Sequence, residues 1–332
     1  MMQAVWIEEF GPVESADVKN VPIPEPGPGE VLVRVGAAGV NFPDALVIEG
    51  NYQVRPPLPF SPGKELSGEV ERIGAGVTSV QPGDRVAALV EYGAFAGYAI
   101  VSAGHCFQIP GDMPYTDAAA LGLSYQTAYF ALMERAGFKE GERVLVNGAA
   151  GGVGLATVQL VKALGGVVYA GVINEEQARV AKDYGADHII DLMDAPVRDR
   201  LRDQVRQASD GQGVDIVIDP VGGDIFEASL RALDWCGRLV VIGFAAGEIP
   251  TVRANYLLVK NISVSGLQWS DYRDRQPEKM AAAQRHMYEL YRSGKIKPHA
   301  EVIEPLTEFK RLLNLVKQGQ IRGKAVLTMA QG

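Results

Sequence analysis

The sequence predicts an α/β protein in which a β-rich, barrel-like domain carries an inserted doubly wound parallel-sheet domain. Three observations point to it. A chain of 332 residues is long enough for two domains at about 150 residues each. The first 110 residues are dense in Pro and Gly, with short β-branched runs between turn signals. After residue 120 strand-like and helix-like segments alternate, the mark of a parallel sheet covered on both faces. The expected boundaries are 1–120 for the first domain, 121–262 for the parallel-sheet domain, and 263–332 for its edge and a return to the first.

In the first domain Val31-Leu32-Val33-Arg34-Val35 follows Pro26-Gly27-Pro28-Gly29, and Val86-Ala87-Ala88-Leu89-Val90 follows Pro82-Gly83-Asp84. In the second, strands are expected at 143–147, 167–173, 188–190, 214–218 and 238–243. Helices are expected between them at 153–164, 175–184, 197–208 and 225–233. Asn261-Ile262-Ser263-Val264-Ser265-Gly266 reads as a further strand with an exposed edge, which predicts at least a homodimer, or a dimer of dimers, through this domain. Residues 277–332 read as two amphipathic helices and a closing strand at 325–328.

Composition excludes several classes. Hydrophobic residues make up 47% and charged residues 22%, the balance of a globular chain rather than a disordered one. No apolar run is long enough for a membrane span. A net charge of −8 argues against nucleic acid as a partner. The opening Met1-Met2-Gln3-Ala4-Val5-Trp6 lacks the pattern of a secretion signal, so a cytoplasmic location is expected. Two cysteines, Cys106 and Cys236, rule out a four-cysteine zinc site within one chain.

Asn147-Gly148-Ala149-Ala150-Gly151-Gly152-Val153-Gly154 lies between a predicted strand and a predicted helix. It fits a dinucleotide fingerprint with Ala149 at the first small position. The backbone of Ala150, Gly151, Gly152 and Val153 can approach a pyrophosphate, and Gly154 lets the helix pack closely on its strand. The helix start adds unpaired N–H groups and the positive end of its dipole. An NAD site usually places an acid at the end of the second strand. Here that strand ends Gly171-Val172-Ile173-Asn174, with Arg179 nearby. NADPH is therefore expected over NADH, with Asn174 and Arg179 toward the 2′-phosphate. Gly243 and Phe244 end the last core strand, where backbone can bond a nicotinamide carboxamide.

These residues, in this order, resemble the medium-chain dehydrogenase/reductase superfamily, and within it the zinc-free quinone oxidoreductases. The resemblance rests on Pro28-Gly29-Glu30-Val31-Leu32-Val33-Arg34-Val35, on Gly63 through Glu65, Gly68, Gly74, Gly76 and Pro82-Gly83-Asp84-Arg85-Val86, on Leu123-Ser124-Tyr125-Gln126-Thr127-Ala128, and on Gly323-Lys324-Ala325-Val326-Leu327. It implies a GroES-like first domain, a Rossmann second domain, and cofactor contacts from Asn41, Thr127 and Lys324. The zinc alcohol dehydrogenases of the superfamily hold their metal through a Cys and a His where this chain has Asn41 and Lys64. An amide and an ammonium do not make a zinc site, and no flavin is expected.

Without metal or flavin, the nicotinamide cofactor must itself deliver hydride to an acceptor that is already polarised, such as a quinone or an enone. The segment from Asn41 to Tyr52 is the candidate active-site wall. The tyrosine matching Tyr52 in related enoyl thioester reductases is regarded as a proton donor, and Asn41 could donate its amide to substrate or cofactor. The alternatives are a Tyr52 that packs a loop and an Asn41 that caps a turn. Asp44 is expected to cap a helix beginning near Ala45. Two further functional readings stand beside the first: an enoyl-CoA or enoyl-ACP reductase, and an NADPH-binding protein without turnover.

Overall fold

The computed structural model describes residues 1–329 and divides into two compact units. One comprises Met1–Leu123, Arg275–Tyr288 and Pro298–Gly332; the other comprises Ser124–Asp274 and Glu289–Lys297. The parallel-sheet unit thus keeps residues 263–274, which the sequence reading assigned to the third segment.

The first unit begins with the antiparallel pair β1 (Met2–Trp6) and β2 (Asp17–Val21). Its main sheet is organised by β3 (Glu30–Val40), followed by α1 (Phe42–Ile48), β4 (Glu65–Ile73), β5 (Arg85–Leu89), β6 (Tyr98–Ser102), β7 (Cys106–Gln108) and α2 (Tyr115–Leu121). Strand β3 is long enough to serve several partners. Glu30–Arg34 pair with β6, while Val31–Ala38 pair with β4. Register shifts at Leu32/Val33 and Val35/Ala37 bend the strand, as bulges do, so the sheet curls around a core of Val31, Val33, Leu66, Val70, Val86 and Phe95.

The second unit opens with α3 (Leu123–Phe130), which runs on into a π-helical turn at Ala131–Ala136. Its alternating elements are β8 (Arg143–Asn147), α4 (Gly152–Ala163), β9 (Val167–Val172), α5 (Glu175–Asp183), β10 (His188–Asp191), α6 (Val197–Ala208), β11 (Val214–Asp219), α7 (Gly223–Ala232), β12 (Leu233–Val241), α8 (Ala254–Lys260) and β13 (Ser263–Gly266). All six strands are parallel, in the order β10-β9-β8-β11-β12-β13. Central strands are buried on both faces, which is why β8 and β11 read as continuous apolar runs. Strand β12 starts five residues earlier than the periodicity suggests. Its first residues, 233–237, pass through an irregularity with Cys236 at φ 61°, which breaks the alternation a sequence reading depends on.

The chain returns to the first unit through β14 (Ala300–Pro305), α9 (Phe309–Lys317) and β15 (Lys324–Thr328). Strand β15 pairs antiparallel with the end of β3, placing Ala325 opposite Val40. Helix α9 buries Phe309, Leu312 and Leu313 in the same core. Two further helices, Trp269–Arg275 and Pro277–Arg292, lie before β14, and residues 275–288 already belong to the first unit. Among the described residues no helix is long and apolar enough to cross a membrane.

Candidate functional site

The parallel sheet reverses its strand order between β8 and β11, and a crevice outside the carboxyl ends of such strands is where this fold binds nucleotides. Asn147 ends β8, and the glycine turn follows directly. Within the turn Ala149 N–H bonds to Gly171 O at 3.0 Å, and Gly151 N–H to Gly148 O at 3.0 Å. The first helical bond of α4 runs from Leu155 N–H to Gly151 O at 2.7 Å. The N–H groups of Gly152, Val153 and Gly154 therefore precede the helical ladder and are free to meet an anion. At Gly154 a Cβ would overlap Gly148 O, so only glycine lets α4 start this close to the turn. This cradle fits a dinucleotide pyrophosphate.

At the end of β9, Val172 is buried and Ile173 half exposed. Asn174 is the N-cap of α5: its Oδ1 accepts Gln177 N–H at 2.9 Å, a contact worth about 1 kcal/mol. Gln177 in turn accepts Ile173 N–H at 3.1 Å. Arg179 is exposed on α5. Thr127 is buried on α3, and Gly243 and Phe244 follow β12, with the Phe244 ring 39% exposed.

In the first unit, α1 begins at Asn41 with a reciprocal cap. Asp44 lies three residues into the motif rather than ahead of the helix, and its Oδ2 accepts Asn41 N–H at 2.8 Å. Around this turn lies a buried polar cluster that motif reading did not assemble. Lys324 Nζ donates to Val40 O at 3.2 Å, Asn41 Oδ1 at 2.6 Å and Glu65 Oε1 at 2.5 Å. Asn41 Nδ2 donates to the same Glu65 oxygen at 2.8 Å and to Gly39 O at 3.3 Å. Glu65 Oε2 accepts Leu123 N–H. Every N–H of the Lys324 ammonium and of the Asn41 amide has an acceptor inside the unit.

Lys64 is buried and ion-paired with Glu91. Its ammonium lies 4.4 Å from the centroid of the Tyr52 ring, within the range of a cation–π contact. Tyr52 is half-buried and packs against the core. Asp44 is fully buried, its Oδ1 has no hydrogen-bond partner among the described residues, and burial pushes its carboxyl up to about 7. Nearby Lys64 and Lys324 and the Asn41 N–H oppose that rise. The donor set does not fit zinc. Asn41 and Lys64 occupy the two expected ligand places, and among the described residues no three His, Cys, Asp or Glu side chains group to hold a metal ion.

The comparisons agree with this geometry. Residues 27–111 match the family model described as alcohol dehydrogenase GroES-like domain, and residues 152–285 match that described as zinc-binding dehydrogenase. Quinone oxidoreductase-like protein 2 of Mus musculus is 38% identical over 304 residues, covering 91% of this chain and 86% of that protein. A mycobacterial protein solved in complex with NADPH is similar at TM-score 0.91 and 31% identity, over 99% of this chain and 100% of that one. Quinone oxidoreductase of Escherichia coli, also complexed with NADPH, is similar at TM-score 0.89 and 28% identity, over 98% and 99%. With its GroES-like domain, its Rossmann-like parallel sheet and these relatives, the chain belongs to the medium-chain dehydrogenase/reductase superfamily, in the quinone oxidoreductase branch.

Proposed function

We propose that the protein is a zinc-independent oxidoreductase that uses NADPH to reduce a quinone or a conjugated enone. The observation that carries this reading is the phosphate cradle at the switch point, together with an ammonium and an amide where zinc ligands would stand. The NADPH complexes of two relatives support the cofactor assignment. When bound, the reduced nicotinamide supplies the hydride.

The residues of this chain do the remaining work. Gly152, Val153 and Gly154 fix the pyrophosphate through backbone N–H groups and the α4 dipole. Val172 and Ile173 present no carboxylate to repel a 2′-phosphate, and Arg179 adds a positive charge on the adjacent helix. Tyr52 donates its phenolic proton to the enolate oxygen or carbon as negative charge develops there. The Lys64 ammonium over its ring stabilises the phenolate left behind. The Asn41–Glu65–Lys324 cluster holds the start of α1, and with it the wall from Asn41 to Tyr52.

The test is NADPH oxidation against a panel of quinones, enones and enoyl thioesters, with and without a chelator. Enone or quinone turnover unaffected by chelator is expected. In Tyr52→Phe the enone rate should fall about 100-fold, with less effect on quinones, whose reduced oxygens take protons from water. Preferential turnover of enoyl thioesters would reassign the acceptor, and NADPH binding without any turnover would remove the enzymatic reading. Wild-type rates in the variant with every acceptor would make Tyr52 a packing residue.

A further inference from the structure

A buried carboxylate at the switch point has no part in the scheme above. Asp219 ends β11, is wholly buried, and lies beside Asn147 at the end of the neighbouring β8. Asn147 Nδ2 bonds to Asp219 Oδ1 at 3.0 Å and to Ser229 Oγ at 2.9 Å. The opposite amide orientation would set a carbonyl oxygen against the carboxylate, so the bonding pattern fixes which end faces Asp219. The same carboxylate accepts Val221 N–H at 3.1 Å on Oδ1 and Gly222 N–H at 3.2 Å on Oδ2. Burial holds its carboxyl above the usual carboxylate range, and these bonds oppose only part of that rise.

The turn that Asp219 grips touches the other loops of the crevice. Ala245 N–H bonds to Pro220 O at 3.1 Å, Ala246 N–H to Val221 O at 2.9 Å, and Gly223 N–H to Glu248 O at 3.2 Å. Gly222 has φ 77°, and a Cβ there would lie 3.2 Å from the Phe244 ring. One side chain therefore ties the strand that leads into the glycine turn to the 220–223 turn, and backbone bonds of that turn hold the loop after β12.

We infer that Asp219 is a positioning residue for the cofactor: by joining Asn147 to the 220–223 turn it sets the floor of the switch-point crevice on which the dinucleotide rests. This rests on the NADPH reading above. Asparagine at 219 would keep the shape but turn an NH2 group toward Asn147 Nδ2 or toward the Gly222 N–H, donor against donor. NADPH must then bind to a crevice that lacks one bond to a charged acceptor, which corresponds to about a tenfold to hundredfold change in affinity.

The experiment compares the full-length wild type with Asp219→Asn by NADPH fluorescence titration, thermal melts with and without NADPH, and steady-state kinetics. The expected result is an NADPH Kd raised about tenfold to hundredfold, a smaller NADPH-induced rise in melting temperature, and a raised KM for NADPH with kcat and the acceptor KM little changed. If Asp219→Asn fails to fold, Asn147→Ala removes the bonds to Asp219 and Ser229 while leaving Asp219 on the 220–223 turn, and should raise the NADPH Kd about tenfold, whereas Ser229→Ala, which removes only the Ser229 bond, should not. Affinity within twofold of wild type in the folded variant, or an equal loss for NADPH and acceptor, overturns the positioning role while leaving the cofactor reading intact. A wild type that does not bind NADPH overturns both.

Discussion

Replacing Lys324 by Met would test the buried cluster of the first unit most severely. Methionine keeps the length and apolar stem of lysine but not its charge. It would leave Glu65, 1% exposed, holding a negative charge with only the Asn41 amide and the Leu123 N–H against it. It would also strip the donor from Asn41 Oδ1 and Val40 O. Breaking one side of a buried pair costs about 3–5 kcal/mol. In a unit of about 170 residues, each kcal/mol moves the melting temperature by about 2–4 °C, so the fall should be about 6–20 °C. Calorimetry of Lys324→Met, Glu65→Gln and the double variant is the assay. The double variant should recover much of the loss, because no unpaired charge remains, giving a coupling energy of about 2 kcal/mol or more. A Lys324→Met transition within about 2 °C of wild type, or strictly additive losses, would refute the argument.

Asp44 makes a pH prediction. With its carboxyl pushed up to about 7 by burial and about 3.9 when unfolded, the folded state holds a proton that the unfolded state has lost between those values. Stability should therefore fall by on the order of 4 kcal/mol as pH rises from 4 to 7 and then level off; in Asp44→Asn that slope should vanish, and a slope unchanged in denaturant melts would contradict it. Val172→Asp, which sets a carboxylate at the end of β9, should weaken NADPH relative to NADH by about tenfold or more, and equal titration curves for the two cofactors in the unmutated protein would show that this strand end does not select. Among the described residues strand β13 pairs only with β12, and Leu258 and Val259 on the preceding α8 are 79% and 77% exposed. A dimer is expected at micromolar concentration, and sedimentation as a monomer would count against it.

The alternating strands and helices of the second unit were legible because β8, β9 and β11 are short apolar runs and the helices between them keep a helical period. The glycine turn was legible because its spacing answers to backbone geometry. Asn41 and Lys324 were not legible as members of one buried cluster, for a different reason. Their partner Glu65 lies 24 residues from one and 259 from the other, and a network closed by β15 returning beside β3 leaves no periodic trace. Asp219 left one faint signal, a carboxylate ending the buried run Val214–Ile218, yet only the pairing of β11 with β8 shows that it faces Asn147. Strand β12 was read too short because the irregular stretch through Cys236 has no alternation.

The central claim is hydride transfer from NADPH to a carbon acceptor without metal. It is tested most directly by supplying an enone with NADPH deuterated at the transferring C4 position, in chelator, and measuring the product mass. One deuterium is expected at the β-carbon and a solvent-derived proton at the α-carbon. A product without deuterium, or no product while the protein binds NADPH, would contradict it.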